Sequence, residues 1–145
     1  MTTLNLDQKA AHYAQKIVKE GCKEVNNDAK KVENLVTKTL GVLQEQGVYA
    51  CILFLLSRTG DEAKIAPKLS IELYNLLNEV PELSVSLTGQ SNPQQVLQTY
   101  SDQICENLDT LLFVRDLYEQ TLIYARYGAK AAKADTNGTK MQEGS

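Results

Sequence analysis

The chain contains no tryptophan, only two phenylalanines and a single histidine, His12. One histidine leaves no second member for a histidine acid–base pair or a histidine-rich metal site. The three cysteines, Cys22, Cys51 and Cys105, are odd in number and show no Cys-x-x-Cys or Cys/His spacing. Neither a disulfide framework nor a zinc site is expected, and this usage suits a reducing cytoplasm. No phosphate-binding glycine loop, dinucleotide fingerprint or nucleophile elbow occurs. The longest apolar run, Val48 to Leu56, is far too short to cross a bilayer. Met1 to Lys9 is polar, with no leader pattern, and no lipidation motif is visible. The carboxylate pairs Asp61/Glu62 and Glu20/Glu24 sit at helix ends or at i,i+4 spacing, where solvated surface acids are common. The expectation is a non-enzymatic cytoplasmic protein with no cofactor, no metal and no membrane contact.

What is present reads as globular. The 145 residues are 43% hydrophobic and 23% charged, which suits one domain with its own core. Aliphatic residues, alanine and seven tyrosines must fill that core. Net charge is −3, which argues against bulk attraction to nucleic acid, but the charge is segregated. Residues 8–38 carry seven lysines against four acids, residues 59–120 three bases against ten acids, and residues 121–134 three bases and no acid. A basic first stretch and a basic last helix thus bracket an acidic middle.

Apolar residues recur at helical spacing along most of the chain, which predicts an all-α compact bundle of about five to seven helices in residues 1–134, followed by a polar tail, 135–145. The first helix is read from Leu6 to Gly21, with Asn5 or Asp7 as cap, Gly21 as stop, and Leu6, Ala10, Tyr13, Ala14 and Ile17 on its buried face. A second starts near Asn27 or Asp28, buries Val32, Leu35, Val36, Leu40 and Leu43, and ends at Gly47. Val48 to Arg58 is apolar almost all round, the pattern of a central core helix around Phe54, with Cys51 a small buried hydrophobe. Thr59-Gly60 closes it and Asp61 can cap the next. Pro67 suits the first turn of the fourth helix, whose core face is Leu69, Leu73, Leu76 and Leu77 and which Pro81 ends. Residues 82–91 read as a loop partly tucked against the core. Asn92-Pro93 opens the last helical region with a capping-box pattern to Gln95. There Val96, Tyr100, Ile104, Leu108, Leu111 and Leu112 continue the apolar spacing, with a break expected near Asn107–Asp109. Tyr13, Tyr49, Tyr74 and Tyr100 fall on apolar faces, where core packing explains them.

Two basic rows stand out. Lys9, Lys16 and Lys23 recur at seven-residue steps beside His12 and Lys19, and form a stripe along the first helix. Arg126, Lys130 and Lys133 share one face of the last. Both rows admit two explanations: solvated helix surface with cations favourably placed at a helix C-terminus, or a surface for phosphate.

Three segments, taken in order, resemble one family, the Cmr-type small subunit of type III-B CRISPR RNA-guided effector complexes. DQKAAHYAQKIV, Asp7 to Val18, is similar to that family's opening helix. GVYACILFLLSR, Gly47 to Arg58, is similar to its central segment, with Gly47, Phe54, Leu55, Ser57 and Arg58 in the matching places. EQTLIYARYGAKAAKA, Glu119 to Ala134, is similar to its closing helix, with Tyr127 where tryptophan is common. Gln46 stands where asparagine usually precedes the central glycine, and residues 59–105 carry none of the resemblance. The resemblance implies a helical bundle without nuclease activity that stacks head to tail in several copies beside the other subunits of the ribonucleoprotein. It implies that basic residues contact guide and target RNA, which here would be Lys9, Lys16, Arg58, Arg126 and Lys130, and that the acidic middle meets a neighbouring copy's basic face. The alternative is a helical protein-binding adaptor or regulatory domain with no RNA contact.

Overall fold

The computed structural model describes residues 5–83 and 92–143, with the side chains of residues 82 and 134–143 outside the description. Among the described residues the chain is all-helical, a bundle of six α-helices. These are α1 (Leu6–Glu24), α2 (Ala29–Gln46), α3 (Val48–Leu56), α4 (Glu62–Asn78), α5 (Pro93–Thr99) and α6 (Leu108–Glu143). A 3₁₀ turn (Pro81–Leu83) follows α4, and a π turn (Tyr100–Ile104) continues α5. Helix α6 runs past Ala134 into the segment read as a tail. Residues 84–91, most of the expected loop, lie outside the described residues, while Leu83 packs at the edge of the core.

Local chemistry sets most boundaries. The side chain of Asn5 accepts from the backbone N–H of Gln8, and that of Asp28 from Lys30. Each satisfies a donor that the first turn of a helix leaves free. Gly47 ends α2 at φ 97°, in a region that disfavours side chains. Asn92 forms the full capping box with Gln95, and Pro93 opens α5. The expected break before α6 is present at residues 105–107.

The helices meet around one continuous core. Helix α6 packs along both α1 and α2, α1 also packs along α4, and α3 bridges α2 and α4. All of the buried-face residues read for α2 and α4 are buried, as are Ala10, Tyr13, Ala14 and Ile17 of α1. Cys51 is fully buried, and loss of water pushes its thiol up to about 12. Two threonines in the interior, Thr39 and Thr121, are satisfied by donating to the carbonyls of Leu35 and Leu117 one turn back.

Several expectations are corrected. Gly21 does not stop α1, which continues to Glu24; it lies where α2 and α4 close on α1. A β-carbon there would sit 3.2 Å from Val32 and 3.3 Å from Ile65. Pro67 lies inside α4 rather than in its first turn, because that helix already starts at Glu62. Both Pro67 and Ala63, whose carbonyl receives no N–H from position 67, are exposed, so water can substitute. Asp61 makes no side-chain cap and binds lysines instead. Helix α3 is not enclosed all round: Val48, Cys51, Ile52 and Leu55 face inward, while Leu53 is 46% exposed and Phe54 only half-buried. Tyr49 is also exposed and Tyr74 half-buried, so core packing accounts fully for Tyr13 and Tyr100 alone of the four. Leu108 and Leu112 are exposed as well. The π turn and the break after it reset the helical phase, and the inward face of α6 is Val114, Leu117, Tyr118, Leu122, Ala125 and Ala129.

The π turn carries Tyr100 into the interior, where its hydroxyl lies 2.6 Å from that of Tyr118. Both rings are fully buried, and burial holds both phenols well above their ordinary ionisation range.

Two predictions follow from this packing. Ile52→Ala should destabilise the fold by about 1.5–4 kcal/mol, as loss of a fully enclosed aliphatic chain does, whereas Leu53→Ala should change it by under about 0.5 kcal/mol. Equal losses in urea denaturation would refute the inward assignment of α3. The second prediction concerns alkali. A phenol whose folded-state pKa lies above its unfolded value of 10 contributes stability that is intact below pH 10 and lost as pH rises further, because only the unfolded chain then releases the proton. Stability should therefore be flat up to about pH 9 and fall above about pH 10. The double variant Tyr100→Phe/Tyr118→Phe should fall less steeply, since removing both partners leaves no orphan hydroxyl.

Candidate nucleic-acid interface

The lysine stripe of α1 forms as its spacing implies. His12, Lys16, Lys19 and Lys23 are exposed along it, and Lys9 is half-buried. The Lys16 ammonium lies 4.6 Å above the Tyr13 ring, a cation–π contact that anchors its stem without consuming its charge. Lys9 reaches across to α4, 3.5 Å from Glu79. Lys23 pairs with Glu20 on its own helix.

Arg58 is engaged at each of its three guanidinium nitrogens. Its guanidinium lies 3.8 Å above the Phe54 ring, and its Nε donates to the Phe54 carbonyl at 3.0 Å. Its terminal nitrogens reach Glu62 at 3.4 Å and Ser57 at 3.3 Å. It closes the end of α3 and covers the half-buried face of Phe54.

The α6 row faces α2. Lys130 and Lys133 lie 4.0 and 3.9 Å from the carboxylate of Glu33. Arg126, one turn earlier, is half-buried, and its Nε has no hydrogen-bond partner among the described residues. The five candidate residues are therefore not brought to one place. Lys9 pairs toward α4, Lys130 toward α2, and Arg58 folds back on α3.

Part of the acidic middle, at Asp61, Glu62 and Glu79, is matched by this chain's own cations. Lys31 binds Asp61 at 2.5 Å, Lys38 binds Glu62 at 2.9 Å, and Lys68 lies 3.9 Å from Glu24. The Lys31 contact holds the Asp61 carboxyl below the usual range. The two carboxylate pairs considered for chemistry, Glu20/Glu24 and Asp61/Glu62, are thus all lysine- or arginine-paired. No cluster of metal-ligating side chains occurs among the described residues.

Two features escape a reading of the sequence. Tyr127 is 63% exposed and lines a groove of about 450 Å³ between α1 and α6, beside Gln15, Lys19 and Tyr124. The available signal is phase: Tyr127 falls off the line of Leu122, Ala125 and Ala129. The second is an apolar cleft of about 590 Å³ where α3, α4 and α5 meet, lined by Leu55, Leu56, Pro67, Ile71 and Val96 with Arg58 at its edge. No helix among the described residues is long and apolar enough to cross a membrane. Comparison of the chain with family models, with curated proteins and with solved structures finds no match.

The Arg58 geometry carries its own test. Losing a charged donor to a carbonyl and a stacked guanidinium should lower stability by about 1–2 kcal/mol in Arg58→Ala, read by urea denaturation. A loss below about 0.3 kcal/mol would mean that the stack does not persist in solution.

Proposed function

We propose that this chain is a non-catalytic small structural subunit of a type III CRISPR RNA-guided, RNA-targeting effector complex. In this reading it works in the cytoplasm in antiviral defence, stacks in several copies beside the other subunits, and touches guide and target RNA through phosphates. The observation that carries the reading is the ordered resemblance of the segments 7–18, 47–58 and 119–134, two of which are the very helices that bear the basic rows. The exposed stripe of α1 suits the role, since phosphate contact asks for cations on an exposed face and no base-reading geometry. Lys130 offers donors that Glu33 holds only at 4.0 Å, and the Arg126 Nε has no acceptor among the described residues. An exposed tyrosine beside a lysine, as at Tyr127 and Lys19, is the kind of platform on which unpaired bases stack. A second reading, a helical adaptor that binds protein and not RNA, is favoured by the apolar cleft between α3, α4 and α5.

The two readings part in a salt series. Reconstituted complex carrying Lys9→Ala/Lys16→Ala, or Arg126→Ala/Lys130→Ala, should bind target RNA more weakly whatever its sequence. Each lost phosphate contact should flatten the slope of log K against log salt by about 0.7. Unchanged affinity and slope in both variants, with assembly intact, would remove RNA contact and favour the adaptor.

A further inference from the structure

Glu33 occupies an unusual position for a surface acid. Its side chain is only 15% exposed, yet its Oε2 accepts no hydrogen bond among the described residues. Lys130 approaches at 4.0 Å and Lys133 at 3.9 Å, both beyond hydrogen-bond reach. Arg126, one turn before Lys130 on α6, keeps a buried Nε with no acceptor among the described residues. Two cations therefore converge on one carboxylate, and neither is close enough to donate to it. A buried carboxylate oxygen without a donor, and a buried donor without an acceptor, are each unfavourable. Both deficits are met by one change: an anion with more oxygens entering between α2 and α6 while the carboxylate swings to water.

We propose that Glu33 is an internal stand-in for phosphate, which holds Lys130 and Lys133 near Arg126 in the free chain and is displaced when a phosphodiester of the RNA strand takes its place. The proposal rests on the RNA-contacting reading above and adds to it a built-in competitor. The competitor lowers the affinity of a single copy for stray RNA. A strand held by several stacked copies overcomes it, because linked contacts act at high effective concentration.

The test is binding of oligouridylate to the full chain across a salt series, in wild type, Glu33→Gln, Arg126→Ala/Lys130→Ala and Glu45→Gln. Glu45 is exposed at the far end of α2 from Glu33 and controls for the loss of one negative charge. Glu33→Gln should tighten binding about two- to five-fold, as release of a loosely held ion pair does. It should also steepen the salt slope, with Glu45→Gln doing neither, and Arg126→Ala/Lys130→Ala added to it should cancel the gain. If Arg126→Ala/Lys130→Ala weakens binding but Glu33→Gln leaves it unchanged, the competitor role is overturned while RNA contact stands. If no variant differs from wild type, the α6 row does not meet RNA and the proposal falls. If no form binds RNA at any salt, the proposal falls together with the reading beneath it. A gain for inorganic phosphate and not for the oligonucleotide would assign the row to a free anion and overturn the proposal as well. Should Glu33→Gln fail to fold, the wild-type chain answers: the Glu33 carboxyl carbon resonance shifts on RNA titration if the side chain is displaced, and stays put if it is not.

Discussion

The bundle depends on burial of one face of α6 in the trough between α1 and α2. Val114, Leu117, Tyr118, Leu122, Ala125 and Ala129 are all buried there. The small residues in the second half of that face let the backbones approach, to the point that a β-carbon at Gly128 would meet Val18 at 3.4 Å. Once this face is set, the angular positions of every other α6 residue follow, since each step along a helix turns it by about 100°. Arg126, Lys130 and Lys133 are carried to the α2 side and Tyr124 and Tyr127 to the α1 side. The candidate interface is therefore a consequence of core packing, and its residues could not be moved without repacking the centre.

The opposite end of the core has a similar constraint. Tyr100 and Tyr118 can be buried only because each hydroxyl has the other as partner. The π turn supplies the extra residue that brings Tyr100 into register. The same turn advances the phase of the helix that follows, which is why Leu108 and Leu112 end up at the surface although their spacing matches the preceding apolar series. A local irregularity thus links one satisfied polar pair to the exposure of two leucines.

Boundaries set by neighbours in sequence were legible in it. Asn5 and Asp28, each one of two caps that the sequence offers for its helix, act within three or four residues, as do Gly47 and the Asn92–Gln95 box. Errors arose wherever the deciding partner is far along the chain. Gly21 looks like a stop until Val32 and Ile65 close over it, and α3 looks enclosed until the bundle leaves Leu53 without a neighbouring helix. Pro67 suits a first turn by its own chemistry, yet the helix opens at Glu62, directly after Asp61, and takes the proline more than one turn in. The basic residues were legible as rows, but their engagements were not. Arg58 is a free cation in sequence and a closed network in three dimensions, and Glu33 gives no sign in sequence of facing residues 130 and 133.

Charge segregation along the chain also changes meaning in the fold. The contrast between a basic first stretch and an acidic middle suits head-to-tail stacking, which needs two unlike surfaces. Yet Lys9, Lys31 and Lys38 meet Glu79, Asp61 and Glu62 within one copy. Such exposed pairs contribute little to stability, about 0–1 kcal/mol each, but they leave those acids less able to attract a second molecule. Asp102, Glu106, Asp109 and Asp116 are exposed and make no ion pair among the described residues. Asp102, Glu106 and Asp109 lie in or beside the turn that joins α5 to α6, next to exposed Leu108 and Leu112, and Asp116 follows about two turns into α6. On the proposed reading, the acidic face left for a neighbouring copy is this corner, where unpaired charge and uncovered apolar surface coincide, and not Asp61, Glu62 and Glu79, whose charge is already matched.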